Sequence, residues 1–303
     1  MSVDKISLIT PIYETSMNFI EDCMISIMQL VHMNTEELEF EWLMIIDGDP
    51  RPIESFVDHW QKRYTKIPIK IIRMSDNGGL SMARNVALKS IDTDYVSWLD
   101  SDDIIIPTDA LPFFSNASKL LNSSDEILFV YSDNIESDEH LAPMNLRKKE
   151  VFQTLYEEHH NTWLDPLFYV DFIYQCQLLR LAEVLKVGGF KEGTIGEDVD
   201  LVLKLATEFP EKHLSHIPLL PYVYRSNPQG IVHTRYQELR RINSSTYAEY
   251  SHRANIHESG TRFEVMYLDE EEGMLRRNLD PKFNMFFNCF LPIEGKVPYY
   301  IEH

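Results

Sequence analysis

The chain of 303 residues contains few cysteines, few basic residues and no long apolar run. Its three cysteines, Cys23, Cys176 and Cys289, are far apart and odd in number, so the sequence predicts free thiols in a reducing compartment. Their spacing also lacks the close cysteine pairs of a zinc site. The sequence therefore excludes a small domain held together by disulfides or by zinc.

No apolar stretch reaches the roughly 18 residues that a membrane-spanning helix requires. The first strand-like run begins at Ile6, which leaves no room for a signal peptide before it. We therefore expect no transmembrane segment and a cytoplasmic location.

Positive charge is scarce, because the chain has 28 Lys and Arg residues but 48 Asp and Glu residues, which gives a formal net charge of -20. Nucleic-acid binding draws much of its affinity from Lys and Arg that neutralise phosphates, so we expect no nucleic-acid partner. An anionic membrane surface is disfavoured for the same reason. With 44% hydrophobic residues, the chain can bury the core of one large domain or of two tightly joined ones.

Strand-like apolar runs alternate with segments of helical periodicity over the first hundred residues. The predicted strands are Ile6 to Pro11, Trp42 to Ile46, Ile67 to Met74 and Tyr95 to Leu99. This alternation predicts βαβ units, that is, an α/β fold with a mostly parallel, Rossmann-like sheet and helices on both faces. Open sheets of this kind bind ligands at the carboxyl ends of their strands, so we expect Asp47 and Asp100 to share one crevice.

The regular alternation declines further along the chain. Ser132 to Lys149 has too little apolar content to be predicted as core, whereas Leu178 to Val187 predicts a helix closed by Gly188 and Gly189. A second helix is predicted from about Glu197 to Ala206.

The composition becomes polar and helix-prone after Pro228. We divide the chain into a ligand-binding half at 1–110, a second half at 111–233 and a helical C-terminal extension at 234–303. The aromatic-rich segment from Phe283 to Tyr300 either packs back on the body or forms a homo-oligomer contact.

Three carboxylates follow the fourth predicted strand within four residues. Asp100, Asp102 and Asp103 repel one another, and a hard divalent cation such as Mg²⁺ or Mn²⁺ would remove that repulsion. The same residues also suit a turn or a helix cap, so the cluster alone leaves both interpretations open.

Seven short motifs in a fixed order extend the pattern over roughly residues 5 to 233. They are Thr10-Pro-Ile-Tyr13, Ile45-Ile-Asp-Gly48, Gly79-Leu-Ser-Met-Ala-Arg-Asn85, Leu99-Asp-Ser-Asp-Asp103, Val187-Gly-Gly-Phe190, Gly196-Glu-Asp-Val-Asp200 and Tyr224-Arg225. Together they resemble family 2 of the inverting GT-A glycosyltransferases. The resemblance implies a GT-A fold, in which a nucleotide-binding half is fused to an acceptor-binding half, a nucleotide-sugar donor and Mn²⁺ or Mg²⁺ as cofactor.

The resemblance also implies roles for residues at the nucleotide. Pro11 and Tyr13 would line its pocket, Asp47 would accept a hydrogen bond from the base, usually uracil, and Arg84 would lie beside the base or the diphosphate. Many relatives read Asp-Asp-Gly-Ser where this chain reads Ile46-Asp-Gly-Asp49. That departure leaves the ribose contact and the choice of base open.

The metal and ribose contacts are assigned by position in the same way. The resemblance implies that Asp100, with Ser101, contacts the ribose region and the metal. It implies that Asp102 is the direct ligand of the metal and that Asp103 supports these residues without binding the metal itself. It places His233 on the metal or diphosphate, although a loop-packing histidine is an open alternative. Arg225 either neutralises the diphosphate or forms a structural ion pair.

The family's catalytic base corresponds to Asp198, with Glu197 beside it in the catalytic pair. A helix begins here, and its positive end lowers carboxylate pKa values, whereas burial and the neighbours Glu197 and Asp200 should raise the pKa of Asp198. The alternative is that these acids only cap the helix. Acceptor-side candidates are Trp163, Tyr174 and Gln177, which are also plausible core residues.

These observations predict a metal-dependent, inverting, non-processive hexosyltransferase that uses a nucleotide sugar, with UDP as the expected nucleotide. The acceptor is a saccharide, a lipid-linked molecule or a protein. One alternative is a catalytically silent nucleotide-sugar-binding or assembly protein on the same fold. The other is a sugar nucleotidyltransferase, although the segment from Thr10 to Thr15 is not the Gly-rich, basic loop that a triphosphate requires.

Overall fold

The first half of the chain alternates strands and helices, as its sequence predicts. The computed structural model describes residues 3–34, 38–62, 69–149 and 177–235, part of 238–250 and three short strands between 266 and 292. The first elements are β1 (Asp4–Ile12), α1 (Met17–Met33), β2 (Leu38–Asp47), α2 (Ile53–Gln61), β3 (Ile69–Met74), α3 (Leu80–Leu88) and β4 (Tyr95–Trp98). Strands β1, β2 and β4 are buried over most of their length, because helices cover both faces of a parallel sheet.

The later elements are shorter and more often strands. They are β5 (Ile104–Ile105), α4 (Pro107–Ser123), β6 (Ile127–Ser132), β7 (Asn134–Ser137), β8 (Pro143–Arg147), β9 (Gln177–Arg180), α5 (Leu181–Lys186), α6 (Glu197–Glu208), β10 (His213–Ile217), β11 (Tyr222–Arg225), α7 (Ile231–Thr234), β12 (Met266–Asp269), β13 (Met274–Arg277) and β14 (Phe290–Pro292).

A large sheet forms the centre of the fold, with its described strands in the order β10-β6-β9-β4-β1-β2-β3. Neighbouring strands are parallel except β9, which is antiparallel to both β4 and β6. A smaller sheet has the order β14-β8-β7-β11-β5. Strand β5 pairs with β11, so the segment after β4 is joined directly to the second half of the chain.

Apolar side chains cover both faces of the large sheet. On one face lie Ile20 of α1, Val57 of α2 and Phe113 of α4, and on the other lie side chains of α3, α5 and α6. Adjacent residues of β1 point to opposite faces. Leu8 packs on the face covered by α1, α2 and α4, and Ile9 packs on the face covered by α3, α5 and α6. The expected α/β architecture with helices on both faces is therefore confirmed. Within the described ranges, no helix is long and apolar enough to cross a membrane.

The helix predicted from Leu178 to Val187 is wrong in its first part. Residues Gln177–Arg180 form β9, and the helix α5 begins only at Leu181 and ends at Lys186. The apolar residues Leu178 and Leu179 pack inside the large sheet, where a strand bonded on both sides satisfies the backbone. Gly188 and Gly189 close the helix with left-handed φ angles of 82° and 69°, as the sequence predicts.

The polar segment from Ser132 to Lys149 contributes buried strands, contrary to the prediction from its composition. Glu136 of β7 is 2% exposed and pairs with Arg147 of β8, with 3.0 Å between Oε2 and Nη2. Asn145 donates to the same Oε2 atom at 3.1 Å. Mutual pairing across β7 and β8 therefore lets polar side chains occupy an interior position.

The C-terminal extension is not uniformly helical, in contrast to its prediction. The described residues between 238 and 250 are helical, whereas β12 and β13 form an antiparallel pair and β14 pairs with β8. Pairing with β8 explains the strand conformation of Phe290–Pro292, because β8 offers its free edge there. The domain boundaries near 110 and 233 stay predictions.

Gly48 lies where the loop after β2 closely approaches the loop after β3. Its φ angle is +69°, and a Cβ atom there would lie 2.3 Å from the backbone nitrogen of Asn77. Gly193 has a similar φ of +73° but has no atom within 4 Å of such a Cβ. The two glycines therefore separate the effect of conformation from the effect of a close backbone contact.

We expect Gly193→Ala to lower the free energy of unfolding by about 1 kcal/mol, through its left-handed conformation alone. Gly48→Ala should cost about 3 kcal/mol, since the neighbouring backbone must also move. Urea denaturation of both variants measures the difference. Equal costs would contradict a tight contact between the two loops.

Candidate active site

Three loops of the large sheet meet at the carboxyl ends of β1, β2 and β4. Strand β1 pairs in parallel with both β2 and β4, so the segments that follow them leave from the same edge. These segments contain Tyr13 to Thr15, Asp47 to Arg51 and Leu99 to Asp103. This is the edge at which parallel α/β sheets bind ligands, and it brings the sequence-predicted residues of all three segments together.

The segment after β1 carries the predicted nucleotide-pocket residues. Pro11 is buried within β1 opposite Ile45, and Tyr13 is 43% exposed just beyond the strand end. Asp49 of the neighbouring loop accepts a hydrogen bond from the backbone nitrogen of Glu14 at 2.8 Å. Tyr13 therefore presents an exposed aromatic ring just beyond the end of β1.

Asp47 connects the loops after β2 and β3. Its side chain is buried, and its two carboxylate oxygens accept hydrogen bonds from the backbone nitrogens of Gly78 at 2.7 Å and Gly79 at 2.9 Å. Each carboxylate oxygen has two acceptor positions, so a bond from a nucleotide base would use the remaining ones. The structure therefore gives Asp47 a loop-anchoring contact that the sequence did not predict.

The acidic motif after β4 contains side chains in contrasting surroundings. Asp100 is 37% exposed, whereas Asp103 is buried, accepts a hydrogen bond from the hydroxyl of Tyr222 and another from the backbone nitrogen of Arg225 at 2.6 Å. Ser101 is also buried, and its hydroxyl lies 2.7 Å from that of Thr15. Only part of the motif therefore faces outward.

Burial raises the pKa of Asp102, and the charge of Asp100 raises it further. Burial likewise raises the pKa of Asp103 well above its usual range, with added repulsion from Asp102 and Asp100. Asp102 accepts a hydrogen bond from the Nδ2 atom of Asn227 at 3.0 Å. The motif therefore retains the carboxylate repulsion that a bound cation would relieve.

Asp100 and Asp102 offer carboxylate oxygens, which are the ligands that a divalent ion such as Mg²⁺ prefers. Mg²⁺ is usually bound through one or two carboxylates plus substrate phosphates and water, without a complete protein cage. Within the ranges that the structure describes, no group of three or more His, Cys, Asp or Glu side chains is arranged to hold a metal, so Asp100, Asp102 and His233 do not form one. The Nε2 atom of His233 lies 2.9 Å from the hydroxyl of Ser226 instead.

Arg84 of α3 joins the acidic motif to the start of α6. Its guanidinium is 3% exposed and pairs with Asp100 and with Glu197, each at 2.7 Å. The same group lies 5.8 Å from the ring centre of Trp98 and 5.2 Å from that of Phe190. Arg84 is therefore a buried bridge between two carboxylates.

Glu197 and Asp198 begin α6 beside this bridge. Burial raises the pKa of Glu197 to about 7, although the positive charge of Arg84 acts in the opposite direction. Burial also raises the pKa of Asp198. The positive charge of Arg84 lowers this pKa, and the negative charge of Asp100 raises it. The predicted upward direction for Asp198 agrees with the structure, but the carboxylate that raises its pKa is Asp100, whereas the sequence predicted Glu197 and Asp200.

Arg225 forms a structural ion pair, which was one of its two predicted roles. It is buried and donates to the carbonyl oxygen of Asp102 at 2.6 Å and to the carboxylate of Asp22 at 2.9 Å. Its guanidinium also lies 4.2 Å from the ring centre of Phe19. Arg225 therefore fixes the acidic motif against α1.

Of the predicted acceptor-side residues, Trp163 and Tyr174 lie outside the described residues. Gln177 lies in β9 and is buried. The contacts of Asn227 with Asp102 and of Tyr222 with Asp103 were not predicted, since they join residues more than 115 positions apart. The pairing of Asp49 with Arg51 had a local signal, namely opposite charges two residues apart in a tight loop.

Comparison with known protein families gives a match that covers about half of the chain. Residues 7–163 match Glycosyl transferase family 2. The match includes the loops after β1, β2 and β4 with their acidic residues.

Curated relatives belong to several bacteria. The chain is 24% identical to the uncharacterized glycosyltransferase EpsJ of Bacillus subtilis over 82% of this chain and 71% of that protein. It is 25% identical to the O-antigen biosynthesis protein RfbC of Myxococcus xanthus over 66% of this chain but 14% of that protein. It is 27% identical to the teichoic acid poly(glycerol phosphate) polymerase of Staphylococcus epidermidis over 59% of this chain and 27% of that protein. The chain thus spans only a minor part of the last two relatives.

Solved structures with the same fold include S. aureus TarS 1-349 in complex with UDP-GlcNAc. The TM-score is 0.55 at 18% identity, over 82% of this chain and 69% of that one. The mannosyltransferase PcManGT of Pyrobaculum calidifontis, in complex with GDP-Man and Mn²⁺, gives a TM-score of 0.55 at 15% identity, over 83% and 64% of the two chains. These likenesses establish the expected GT-A fold, and with the match over residues 7–163 they lead to one conclusion: the chain belongs to glycosyl transferase family 2.

Proposed function

We propose that this protein is a metal-dependent, inverting and non-processive glycosyltransferase that takes its sugar from a UDP-linked donor. The observation that carries the proposal is the Arg84 bridge, which joins Asp100 of the acidic motif to Glu197 beside Asp198. A transferase needs a site for the departing diphosphate and a base for the acceptor on opposite sides of the sugar. The bridge brings residues suited to each task to one edge of the sheet.

Asp102 and Asp100 are the proposed metal ligands. A divalent ion held there would stabilise, as a Lewis acid, the negative charge that develops on the departing diphosphate. The raised pKa of Asp102 supports this assignment, because a cation would favour its ionised form. Arg84 holds Asp100 in place, and Arg225 holds the backbone of Asp102.

The first test of this function is ligand-dependent stability. We expect a UDP-sugar with Mn²⁺ to raise the melting temperature of the wild-type protein, since a ligand at 100 times its Kd adds about 2.7 kcal/mol to stability. Asp102→Asn should abolish the Mn²⁺-dependent part of the shift. Asp109→Asn is a matched control, because Asp109 accepts only a backbone bond from Leu220 in the described contacts.

The same panel should include CDP- and GDP-sugars, with donor hydrolysis as a second readout. A full Mn²⁺-dependent shift in Asp102→Asn would remove this residue from the metal site. A wild-type protein that responds to none of these donors would contradict the proposed function.

Asp198 is the proposed base. It would take the proton from the acceptor hydroxyl as that hydroxyl attacks the sugar carbon from the face opposite the diphosphate, and this single displacement inverts the configuration. A raised pKa makes a carboxylate a stronger base near neutral pH, and burial raises the pKa of Asp198.

Asp198→Asn should lower turnover by roughly 10²- to 10⁴-fold, while donor affinity stays nearly unchanged. Asp200→Asn is a control in the same helix, since Asp200 pairs with Lys204 at 2.8 Å and Tyr250 at 3.2 Å and takes no part in the proposed chemistry. Steady-state kinetics with any accepted donor and acceptor measure both variants. Wild-type turnover in Asp198→Asn would show that Asp198 is not the base.

Glu197 is proposed to act in the catalytic pair by holding Arg84, whose Nη1 atom donates to Oε1 of Glu197 at 2.7 Å. Its pKa of about 7 lies above the usual value near 4.5, so the folded state binds a proton that the unfolded state has already released. The resulting cost to stability is absent below pH 4.5, grows as the pH rises and is complete above pH 7.

We therefore expect the wild-type protein to lose stability relative to Glu197→Gln as the pH rises from about 4.5 to 7. Urea denaturation of the two proteins at pH 5, 6, 7 and 8 measures this trend. The difference in their free energies of unfolding should change by roughly 1 kcal/mol for each unit by which the pKa is raised. A constant difference between the two proteins would show that Glu197 keeps its ordinary pKa in the folded state.

The choice of UDP is supported by the TarS complexes with UDP-GlcNAc and UDP, which share the fold. In this proposal, Asp47 accepts a hydrogen bond from the uracil N3-H, and Tyr13 and Pro11 form part of the pocket wall. PcManGT binds GDP-Man, so the donor panel is the decisive comparison.

A further inference from the structure

The loop after β2 contains a buried carboxylate that the proposed reaction does not use. The side chain of Asp49 has no exposed surface, and its charge is balanced by Arg51, whose Nε atom donates to Oδ1 at 2.9 Å and whose Nη2 atom pairs with Oδ2. The backbone nitrogen of Arg51 donates to the same carboxylate at 3.0 Å. A carboxylate bonded in this way is fixed in position.

The same two side chains also hold the segment after β1. Asp49 accepts the backbone N–H of Glu14 at 2.8 Å, and the Nη1 atom of Arg51 donates to the carbonyl oxygen of Thr15 at 2.7 Å. Glu14 has a φ of 51°, which is unfavourable for a residue with a side chain. The pair therefore bonds both sides of a peptide whose conformation requires external support.

The held segment is linked in turn to the acidic motif. The hydroxyl of Thr15 lies 2.7 Å from that of Ser101, which is between Asp100 and Asp102 in the chain. On its other side, Glu14 follows Tyr13, the exposed aromatic residue at the end of β1. Asp49 and Arg51 thus hold the segment that lies between the exposed ring of Tyr13 and Ser101, the residue between the two proposed metal ligands.

We propose that Asp49 and Arg51 are positioning residues that hold Tyr13, Glu14 and Thr15 in the conformation that receives the donor. This inference rests on the proposed function, because it assigns the held segment to the nucleotide-sugar site. It predicts that loss of the pair weakens donor binding more than it slows the chemical step, because the pair contacts the pocket wall and not Asp198.

The test compares Asp49→Asn and Arg51→Lys with Glu208→Gln. Asn keeps the shape of Asp49 but loses its charge, and Lys keeps the charge of Arg51 but cannot make its forked contacts. Glu208→Gln is the control, because Glu208 forms an exposed ion pair with Lys186 at 3.0 Å at the end of α6 and contacts neither the pair nor the held residues in the described bonds.

Two readouts are measured on the full chain, namely amide hydrogen exchange of the peptide covering residues 12–17 and steady-state kinetics with a UDP-sugar and Mn²⁺. We expect exchange in Asp49→Asn to become at least about tenfold faster in this peptide. The donor KM should rise by about tenfold or more, with a smaller change in kcat. Arg51→Lys should give intermediate values, and Glu208→Gln should match the wild type.

Unchanged exchange in Asp49→Asn would overturn the inference, and so would faster exchange with an unchanged donor KM, which would make the pair merely structural. If the wild-type protein uses none of the nucleotide sugars, the proposed function fails by itself. In that case the positioning role for a donor fails with it, while the exchange measurement still reports whether the pair holds the segment.

Discussion

A single buried cation holds together the parts of the candidate site that come from different regions of the chain. Arg84 pairs with Asp100 after β4 and with Glu197 at the start of α6, which are 97 positions apart by their numbers. A buried guanidinium without its carboxylates would be strongly unfavourable, and so would the buried carboxylate of Glu197 without the guanidinium. The two halves of the site are therefore fixed relative to each other by mutual charge compensation, assisted by the rings of Trp98 and Phe190.

Around this bridge, negative charge exceeds positive charge. Asp102 and Asp103 have raised pKa values because burial and neighbouring carboxylates disfavour their ionised forms. The positive side chains nearby are already committed, Arg84 to two carboxylates and Arg225 to Asp22 and to backbone carbonyls. A bound cation would relieve the remaining repulsion, which fits the divalent ion proposed for this family member.

The parallel half of the fold was predictable because its signal is local. Short continuous apolar runs such as Trp42 to Ile46 are typical of strands covered on both faces, and the carboxylates that end them fall at one edge of the sheet. The strand Gln177–Arg180 was missed because Leu178 to Val187 also has helical spacing, and only the neighbours β4 and β6 decide between the two.

Polar segments were harder to predict, since burial of a charge depends on a partner that the sequence does not identify. Glu136 is buried only because Arg147 faces it on the adjacent strand. Likewise the individual contacts of Asp47 with Gly78 and Gly79 follow from the way two loops meet in space. The positions of the site residues along the chain were predictable, whereas their bonding partners were not.

The antiparallel strand β9 has a consequence for how the chain is completed during synthesis. It lies between β4 and β6, so both of these earlier strands keep an unsatisfied edge until residues 177–180 have been made and inserted. Exposed edges of apolar strands such as Ile127–Ser132 promote pairing with other chains. A nascent or truncated chain that ends before β9 would therefore be prone to aggregation, and insertion of four residues closes the sheet into one continuous unit.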